Sequence, residues 1–199
     1  LLKALLIIGS ILAIKFISRS TLIDAGFRRP ETKIRKRKVI FNGMILGGLA
    51  TLLIFVLPAK GVPFVKKLNV VEFILIVIVW SSIAEEIFVR GFMQSFLAQF
   101  VQNQIKLVGH SFSISVVTGA ILFASLHVSL LFAGADYYTV FVTLLCTFFL
   151  GLLAGNYREK YNSLIPAILA HMSFNVGGIV MGIILTIIYK LMTGELPPH

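Results

Sequence analysis

Charged residues are scarce in this sequence of 199 residues, and acids are the scarcest. Only 13% of the residues are charged, with 8 Asp and Glu against 18 Lys and Arg, while 58% are hydrophobic. An ordinary soluble domain has about 25% charged and about 45–50% apolar residues. A soluble domain of this length could not bury so much apolar surface, so much of the chain must contact lipid. The same composition excludes intrinsic disorder, which requires low hydrophobicity.

Cysteine is nearly absent as well. The single cysteine, Cys146, excludes an intrachain disulfide, and its apolar surroundings are typical of a packed residue rather than a nucleophile. The chain also lacks HExxH, the spacing of helical zinc proteases, and the Ser-x-x-Lys and Gly-x-Ser-x-Gly settings of a nucleophilic serine. Catalysis, if present, must therefore rest on other residue patterns.

The net charge of +10 is concentrated in one stretch between two apolar runs. Eight basic residues lie there: Arg19, Arg28, Arg29, Lys33, Arg35, Lys36, Arg37 and Lys38. A juxtamembrane cluster of this kind is typical of a cytoplasmic loop and attracts anionic lipid headgroups. Nucleic-acid binding is not expected, because the 17 Phe lie mostly inside apolar segments. We expect residues 19–39 to form a cytoplasmic loop.

Long apolar runs predict a polytopic transmembrane helical bundle. A spanning helix needs about 20 mostly apolar residues. Six runs meet this requirement: 1–18, 40–58, 70–100, 114–133, 137–155 and 164–192. The last run is long for one crossing, so this helix is expected to tilt, to extend beyond the bilayer or to break, and the Gly177-Gly178 pair is the expected point of a break. The sequence thus predicts one all-α membrane domain, residues 1–199, of about six to eight transmembrane helices with a polar intramembrane cavity.

The distribution of Lys and Arg among the loops supports this orientation. If residues 19–39 are inside, residues 101–113 and 156–163 are inside too, and the three inside loops hold 11 basic residues. The outside loops hold three: Lys60, Lys66 and Lys67.

Two adjacent acids, Glu85 and Glu86, interrupt the apolar run 70–100, and Arg90 follows one turn later. A charged side chain at the bilayer centre costs about 2.5–3.5 kcal/mol on insertion scales. Successive helical residues are about 100° apart, which places Glu86 about 40° and Glu85 about 140° from Arg90. We therefore expect Glu86 to pair with Arg90 and Glu85 to face elsewhere as a free acid.

Three further polar residues lie in other apolar runs. His127 follows Phe123 by one turn, and His171 and Asn175 are one turn apart. Singly, an intramembrane His or Asn is as often a hydrogen-bonding partner between helices as a functional residue. Together with Glu85, they favour a converging polar cavity. Such a set supplies what water activation needs: a carboxylate base, an imidazole partner and donors for an oxyanion.

Three motifs follow one another in these hydrophobic segments. Glu85-Glu86-Ile-Phe-Val-Arg90 resembles EExxxR, Phe123-Ala-Ser-Leu-His127 resembles FxxxH, and His171-Met-Ser-Phe-Asn175 resembles HxxxN. In this order they resemble the signature of the CPBP (CAAX protease and bacteriocin-processing, or Abi) family of intramembrane proteases, which includes the Rce1-type CAAX prenyl endopeptidases. The resemblance covers a CPBP-like catalytic core of residues 80–178.

The resemblance implies a role for each motif residue. Glu85 would activate a water molecule, and His127 would help to hold and deprotonate it. His171 and Asn175 would stabilise the oxyanion of the tetrahedral intermediate. Three residues would support the site: Glu86, Arg90 and Phe123.

The resemblance also bears on whether the activity requires a metal ion. The family has long been labelled a metalloprotease group, while a glutamate mechanism needs no metal, so no cofactor is expected. Zinc is the alternative, since one carboxylate and two histidines form a catalytic zinc site. Its ligands would be Glu85, His127 and His171.

We expect an intramembrane endopeptidase that uses glutamate-activated water. Its partners would be membrane lipid and a peptide or prenylated protein. Three substrate classes stay open: CAAX proteins, which would lose their C-terminal tripeptide, bacteriocin-type precursors and membrane regulators. One alternative is a proton- or ion-coupled transporter with a buried acid relay, although no inverted repeat is visible. Another is a non-catalytic membrane scaffold or immunity protein. The oligomeric state is not determined by the sequence.

Overall fold

The computed structural model of the protein describes residues 2–18, 21–57, 69–101, 103–107 and 109–196. Four basic residues counted above lie outside the described residues: Arg19, Lys60, Lys66 and Lys67. The described part is mostly helical, with one short hairpin. In chain order its elements are α1 (Leu2–Phe16), α2 (Lys36–Val56), α3 (70–98), β1 (Gln104–Leu107), β2 (His110–Ser113), α4 (Ile114–Leu126), α5 (Tyr137–Tyr161) and α6 (Ile165–Thr193).

Within the described residues, four helices are long and apolar enough to cross a membrane: Lys36–Val56, Ile114–Leu131, Tyr137–Tyr161 and Ile165–Thr193. The second includes a short 3-10 helix, His127–Leu131, that continues α4. Large apolar side chains are exposed on the outer faces of these helices, among them Ile45, Leu49, Phe141, Ile183 and Ile187. Helices satisfy their own backbone hydrogen bonds, as a chain in lipid requires. The predicted class, an all-α integral membrane protein, is confirmed at this level, and the total of six to eight spans stays a prediction.

Helix α3 changes geometry along its length. It consists of α-helical Val70–Glu72, π-helical Phe73–Ser81, α-helical Ser82–Glu86, π-helical Ile87–Gln94 and α-helical Ser95–Ala98. A capping box begins it, since Asn69 and Glu72 each accept a hydrogen bond from the other's backbone N–H. π-Helical turns often occur at functional sites. Here they flank the α-helical turn that carries Glu85 and Glu86.

Helices α2 and α6 form the most extensive helix pair. Helix α6 is continuous, so the predicted break at the Gly177-Gly178 pair is wrong. A Cβ atom at Gly177 would lie 2.2 Å from the Met44 carbonyl oxygen, and one at Gly47 would lie 1.8 Å from the Phe174 carbonyl oxygen. Glycine is needed at both positions because the two backbones approach so closely. The glycines therefore serve helix packing, not helix termination.

The segment between α3 and α4, which the sequence predicts to be a loop, contains an antiparallel hairpin. Strand β1 pairs with β2 from Gln104 opposite Ser113 to Leu107 opposite His110. Gly109 supplies the positive φ (75°) of the turn. This hairpin departs from an all-helical chain, but it lies outside the four candidate spanning helices.

The helices surround the middle of α3. Helix α1 packs along α3, and α4, α5 and α6 contact it from other sides. Val89 of α3, Phe123 of α4 and Leu150 of α5 are buried against one another. This apolar cluster fixes the helices on which the predicted site residues lie.

Candidate active site

Glu86 and Arg90 form an ion pair inside the bundle. Arg90 Nη1 donates to Glu86 Oε1 at 3.1 Å, and neither side chain has exposed surface. The helical angle in the sequence predicts this pair. Arg90 Nη2 also donates to the Gly151 carbonyl oxygen of α5 at 3.2 Å, and the guanidinium lies 4.5 Å from the centre of the Phe123 ring. The pair thus connects α3 to α4 and α5.

His171 approaches both acids of α3 from α6. Its Nδ1–H donates to Glu86 Oε1 at 2.9 Å. Its Nε2 lies 4.0 Å from Glu85 Oε2. That separation is too long for a direct hydrogen bond and short enough for one water molecule to contact both atoms. Because Glu86 binds one ring nitrogen, the other nitrogen is directed at Glu85.

Glu85 is not the free acid that the sequence predicts. Its Oε1 accepts a hydrogen bond from Ser81 Oγ at 2.6 Å and forms an ion pair with Lys3 Nζ of α1. The side chain is only 12% exposed. Two cations, Lys3 and Arg90, therefore accompany the two acids Glu85 and Glu86. Pairing of this kind lowers the cost of holding carboxylates in apolar surroundings.

Phe123 lies between the two histidines. Its ring is edge-to-face with His127 at 5.2 Å and with His171 at 5.3 Å, measured between ring centres. His127 Nδ1–H donates to the Phe123 carbonyl oxygen at 3.0 Å, so the Nε2 of a neutral ring is an acceptor. No hydrogen bond among the described residues joins His127 directly to Glu85 or His171. Phe123 brings the two rings to one place.

Asn175 contacts α3 through amide hydrogens. Nδ2 donates to Ser82 Oγ at 3.1 Å and, more weakly, to the Val77 carbonyl oxygen at 3.4 Å. Ser82 is buried, one turn before Glu86. In this arrangement Asn175 joins α6 to α3, and its amide hydrogens are directed at Ser82 and Val77 rather than at Glu85.

Three contact residues were missed at the sequence level: Lys3, Ser81 and Ser82. Ser81 lies four residues before Glu85, so helical spacing alone could have found it. Lys3 is the sole charged residue among the first 14. That isolation marks it as unusual, but no local pattern indicates that α1 packs against α3.

The conditional zinc ligands do not gather as a metal-binding set. Across the part of the chain that the structure describes, no group of three or more His, Cys, Asp or Glu could hold a metal ion. Independence from a metal stays a prediction.

The polar cavity around the site also stays a prediction. The structure has cavities of about 880 Å³ along residues 29–38, about 370 Å³ between α2 and α5, and about 400 Å³ between α2 and α6. None of these three is lined by the proposed catalytic residues: Glu85, His127, His171 and Asn175.

The chain matches a model of a known protein family. The family model of the Rce1-like type II CAAX prenyl endopeptidases matches residues 67–177. This segment holds all three motifs, from Glu85 to Asn175, and it begins after Lys3 and α1. No curated protein and no solved structure matches the chain. The match confirms the resemblance that the motifs indicate.

Proposed function

The chain belongs to the Rce1-like family of type II CAAX prenyl endopeptidases, and we propose that it hydrolyses a peptide bond within the membrane with water activated by Glu85. One observation carries this proposal: Glu85 Oε2 and His171 Nε2 face each other across 4.0 Å. A water molecule between them can give a proton to the carboxylate while the imidazole holds it in place.

Glu85 acts as the general base and then as the general acid. Its Oε2 accepts a proton from water as the water oxygen bonds to the carbonyl carbon of the scissile peptide. The proton passes from Glu85 to the peptide nitrogen as the C–N bond breaks, which releases an amine and a carboxylic acid. The acid then loses its proton to solvent and leaves as a carboxylate. General acid–base catalysis by a positioned side chain contributes about 10²–10⁴ in rate.

Lys3 and Ser81 position this base. Both contact Oε1, and this leaves Oε2 directed at His171. The Lys3 ammonium also compensates the charge of the ionised carboxylate, which is the form that a base requires. Lys3 lies on α1, so an element outside the family-matched segment would complete the site.

The two histidines take different roles. Neutral His127 presents Nε2 as an acceptor for the second proton of the water, because its Nδ1–H is bonded to a backbone carbonyl. His171 lies between two carboxylates, which would compensate a positive charge on its ring. A proton on its Nε2 makes His171 a donor to the oxyanion. Asn175 becomes the second donor when its Nδ2 leaves Ser82 Oγ and donates to the oxyanion of the substrate instead.

The substrate class that we propose is a prenylated protein with a C-terminal CAAX sequence, from which the enzyme removes the last three residues. Family membership supports this choice. A prenylated C-terminus also suits a site within an apolar helix bundle, because the lipid group partitions into the bilayer with the peptide attached.

We propose that α1 and α3 also cross the membrane, which gives six spans. Both expose large apolar side chains, such as Ile8 and Leu12 on α1 and Leu75 on α3. Residues 19–39 would then lie on the cytoplasmic side, because they hold the densest group of basic residues.

Peptide cleavage tests the proposal. Purified protein in micelles is incubated in water labelled with oxygen-18, with a prenylated CAAX peptide or its unprenylated counterpart. The masses of the products are measured by mass spectrometry. We expect release of the C-terminal tripeptide from the prenylated peptide, with one heavy oxygen in the new carboxylate. No cleavage across a broad peptide panel would favour the transporter or scaffold alternative.

A further inference from the structure

A second polar feature lies away from the catalytic residues. The cavity of about 370 Å³ between α2 and α5 is lined by residues of both helices and of the hairpin. It lies where α2 begins, at Lys36, and where α5 ends, at Tyr161. The ends of spanning helices lie at the level of the lipid headgroups, so this cavity is at the membrane interface.

Basic side chains surround its opening. Arg35, Lys38 and Lys160 line the cavity, and all three are exposed. The cavity lining contains no acid. Within the described residues these three cations take part in no ion pair. The opening therefore carries a positive charge that the protein itself does not compensate.

The interior of the cavity combines apolar surface with hydroxyl groups. Leu152 and the body of Tyr157 are buried in its lining. Asn42 Nδ2 donates to the Tyr157 hydroxyl at 2.9 Å, and the Arg35 backbone N–H donates to the Tyr161 hydroxyl at 3.5 Å. Each hydroxyl is used as an acceptor, and the described residues give its own proton no acceptor. The two phenols can thus donate to an oxygen-rich ligand.

We propose that this cavity binds an anionic phospholipid. The phosphate would lie among Arg35, Lys38 and Lys160 and accept a hydrogen bond from Tyr157, and an acyl chain would follow Phe149 along α5. Basic pockets between membrane helices are known to hold acidic headgroups. A water-soluble anion would gain the same charges but would leave the apolar lining without a partner. This proposal is independent of the catalytic roles given above.

Lipid binding to the purified full chain tests it. Delipidated protein in a neutral detergent is titrated with phosphatidylglycerol, phosphatidylcholine or inorganic phosphate, and bound lipid is counted by native mass spectrometry. The test variant is Lys38→Gln/Lys160→Gln. The matched control is Lys36→Gln/Arg37→Gln, which removes the same charge beside the cavity but not in its lining. Tyr157→Phe removes the hydroxyl alone.

We expect saturable binding of phosphatidylglycerol that weakens at least about tenfold in Lys38→Gln/Lys160→Gln. Tyr157→Phe should weaken it by a smaller factor, and the control should change it less than about twofold. Equal weakening in the control would mean diffuse charge attraction and overturn the proposal. Equal binding of phosphatidylcholine, or displacement of the lipid by inorganic phosphate at matched concentration, would overturn it as well.

Discussion

Glu86 Oε1 accepts a hydrogen bond of 2.9 Å from His171 Nδ1, although the two residues lie on different helices. The same oxygen accepts from Arg90, and the Glu86 side chain has no exposed surface. Its other oxygen, Oε2, is buried and has no hydrogen-bond partner among the described residues, so a water molecule outside the bundle does not reach this carboxylate. The neighbouring Glu85 has one oxygen directed toward His171 Nε2 instead. Two adjacent acids of the same type are thus distinguished by their partners, one suited to orient the imidazole and the other to act as base.

Replacement of Glu85 by Gln should reduce peptide hydrolysis to near background. Glutamine keeps the size of the side chain but cannot accept the proton of water. The measurement is cleavage of a prenylated CAAX peptide in micelles, with thermal unfolding in the same detergent to show that the fold survives. Glu195→Gln, at an exposed position, is the control and should retain full activity. Undiminished cleavage by Glu85→Gln would remove Glu85 from the chemistry.

Replacement of Glu86 by Gln should mainly lower stability. Removal of one partner of a buried ion pair leaves the other charge uncompensated and costs about 3–5 kcal/mol. Arg90 is fully buried, so Glu86→Gln should lower the unfolding midpoint in detergent more than Glu195→Gln does. The double variant Glu86→Gln/Arg90→Met should recover part of this loss, because no buried cation remains. A double variant that loses the full sum of the two single effects would contradict the pairing argument.

The sequence predicts what local geometry determines. Glu86 and Arg90 share a helix face four residues apart, so their pairing follows from helical spacing alone. The motif order likewise identifies the family through residues that are close in sequence. The four candidate spanning helices follow from long apolar runs, which lipid requires.

Contacts between distant segments cannot be predicted from local sequence patterns. Lys3 meets Glu85 only because α1 packs along α3, and no pattern within either helix specifies that packing. The sequence predicts a break of α6 at the Gly177-Gly178 pair because sharp helix kinks often occur at glycine pairs. Its position against α2 overrides that propensity, since close helix packing rewards small residues.

Replacement of Lys3 by Met should lower the turnover number with little change in KM. Methionine keeps much of the apolar stem but removes the ammonium that holds Glu85 Oε1, so the base is no longer held in position. Misplacement of a catalytic group by about 1 Å costs about a hundredfold in rate. Lys15→Met, at the exposed end of α1, is the control. Lys3→Arg should restore part of the rate, and a Lys3→Met enzyme as fast as wild type would exclude Lys3 from positioning Glu85.

Metal removal should leave the activity unchanged. The proposed reaction transfers its proton through Glu85 and polarises the carbonyl with His171, so the chain supplies each step. The measurement is elemental analysis of purified active protein, followed by cleavage before and after treatment with a chelator. One zinc per chain, with activity lost on its removal and regained on its return, would overturn the glutamate mechanism.

Replacement of Asn175 by Ala tests whether the side-chain amide of Asn175 donates to the oxyanion or only connects two helices. Loss of one oxyanion donor typically costs about 10²–10³ in rate. Loss of one hydrogen bond between membrane helices costs about 0.6 kcal/mol of stability. Ser82→Ala is the matched variant, because it removes the partner that Asn175 Nδ2 contacts in the structure and leaves the amide in place. If Asn175 turns to the oxyanion during the reaction, Asn175→Ala should lose turnover while Ser82→Ala keeps it, with both variants slightly less stable. Equal small losses of stability with normal turnover in both would show that Asn175 only joins α3 to α6. Turnover numbers and unfolding midpoints, measured for both variants in one detergent, decide between these roles.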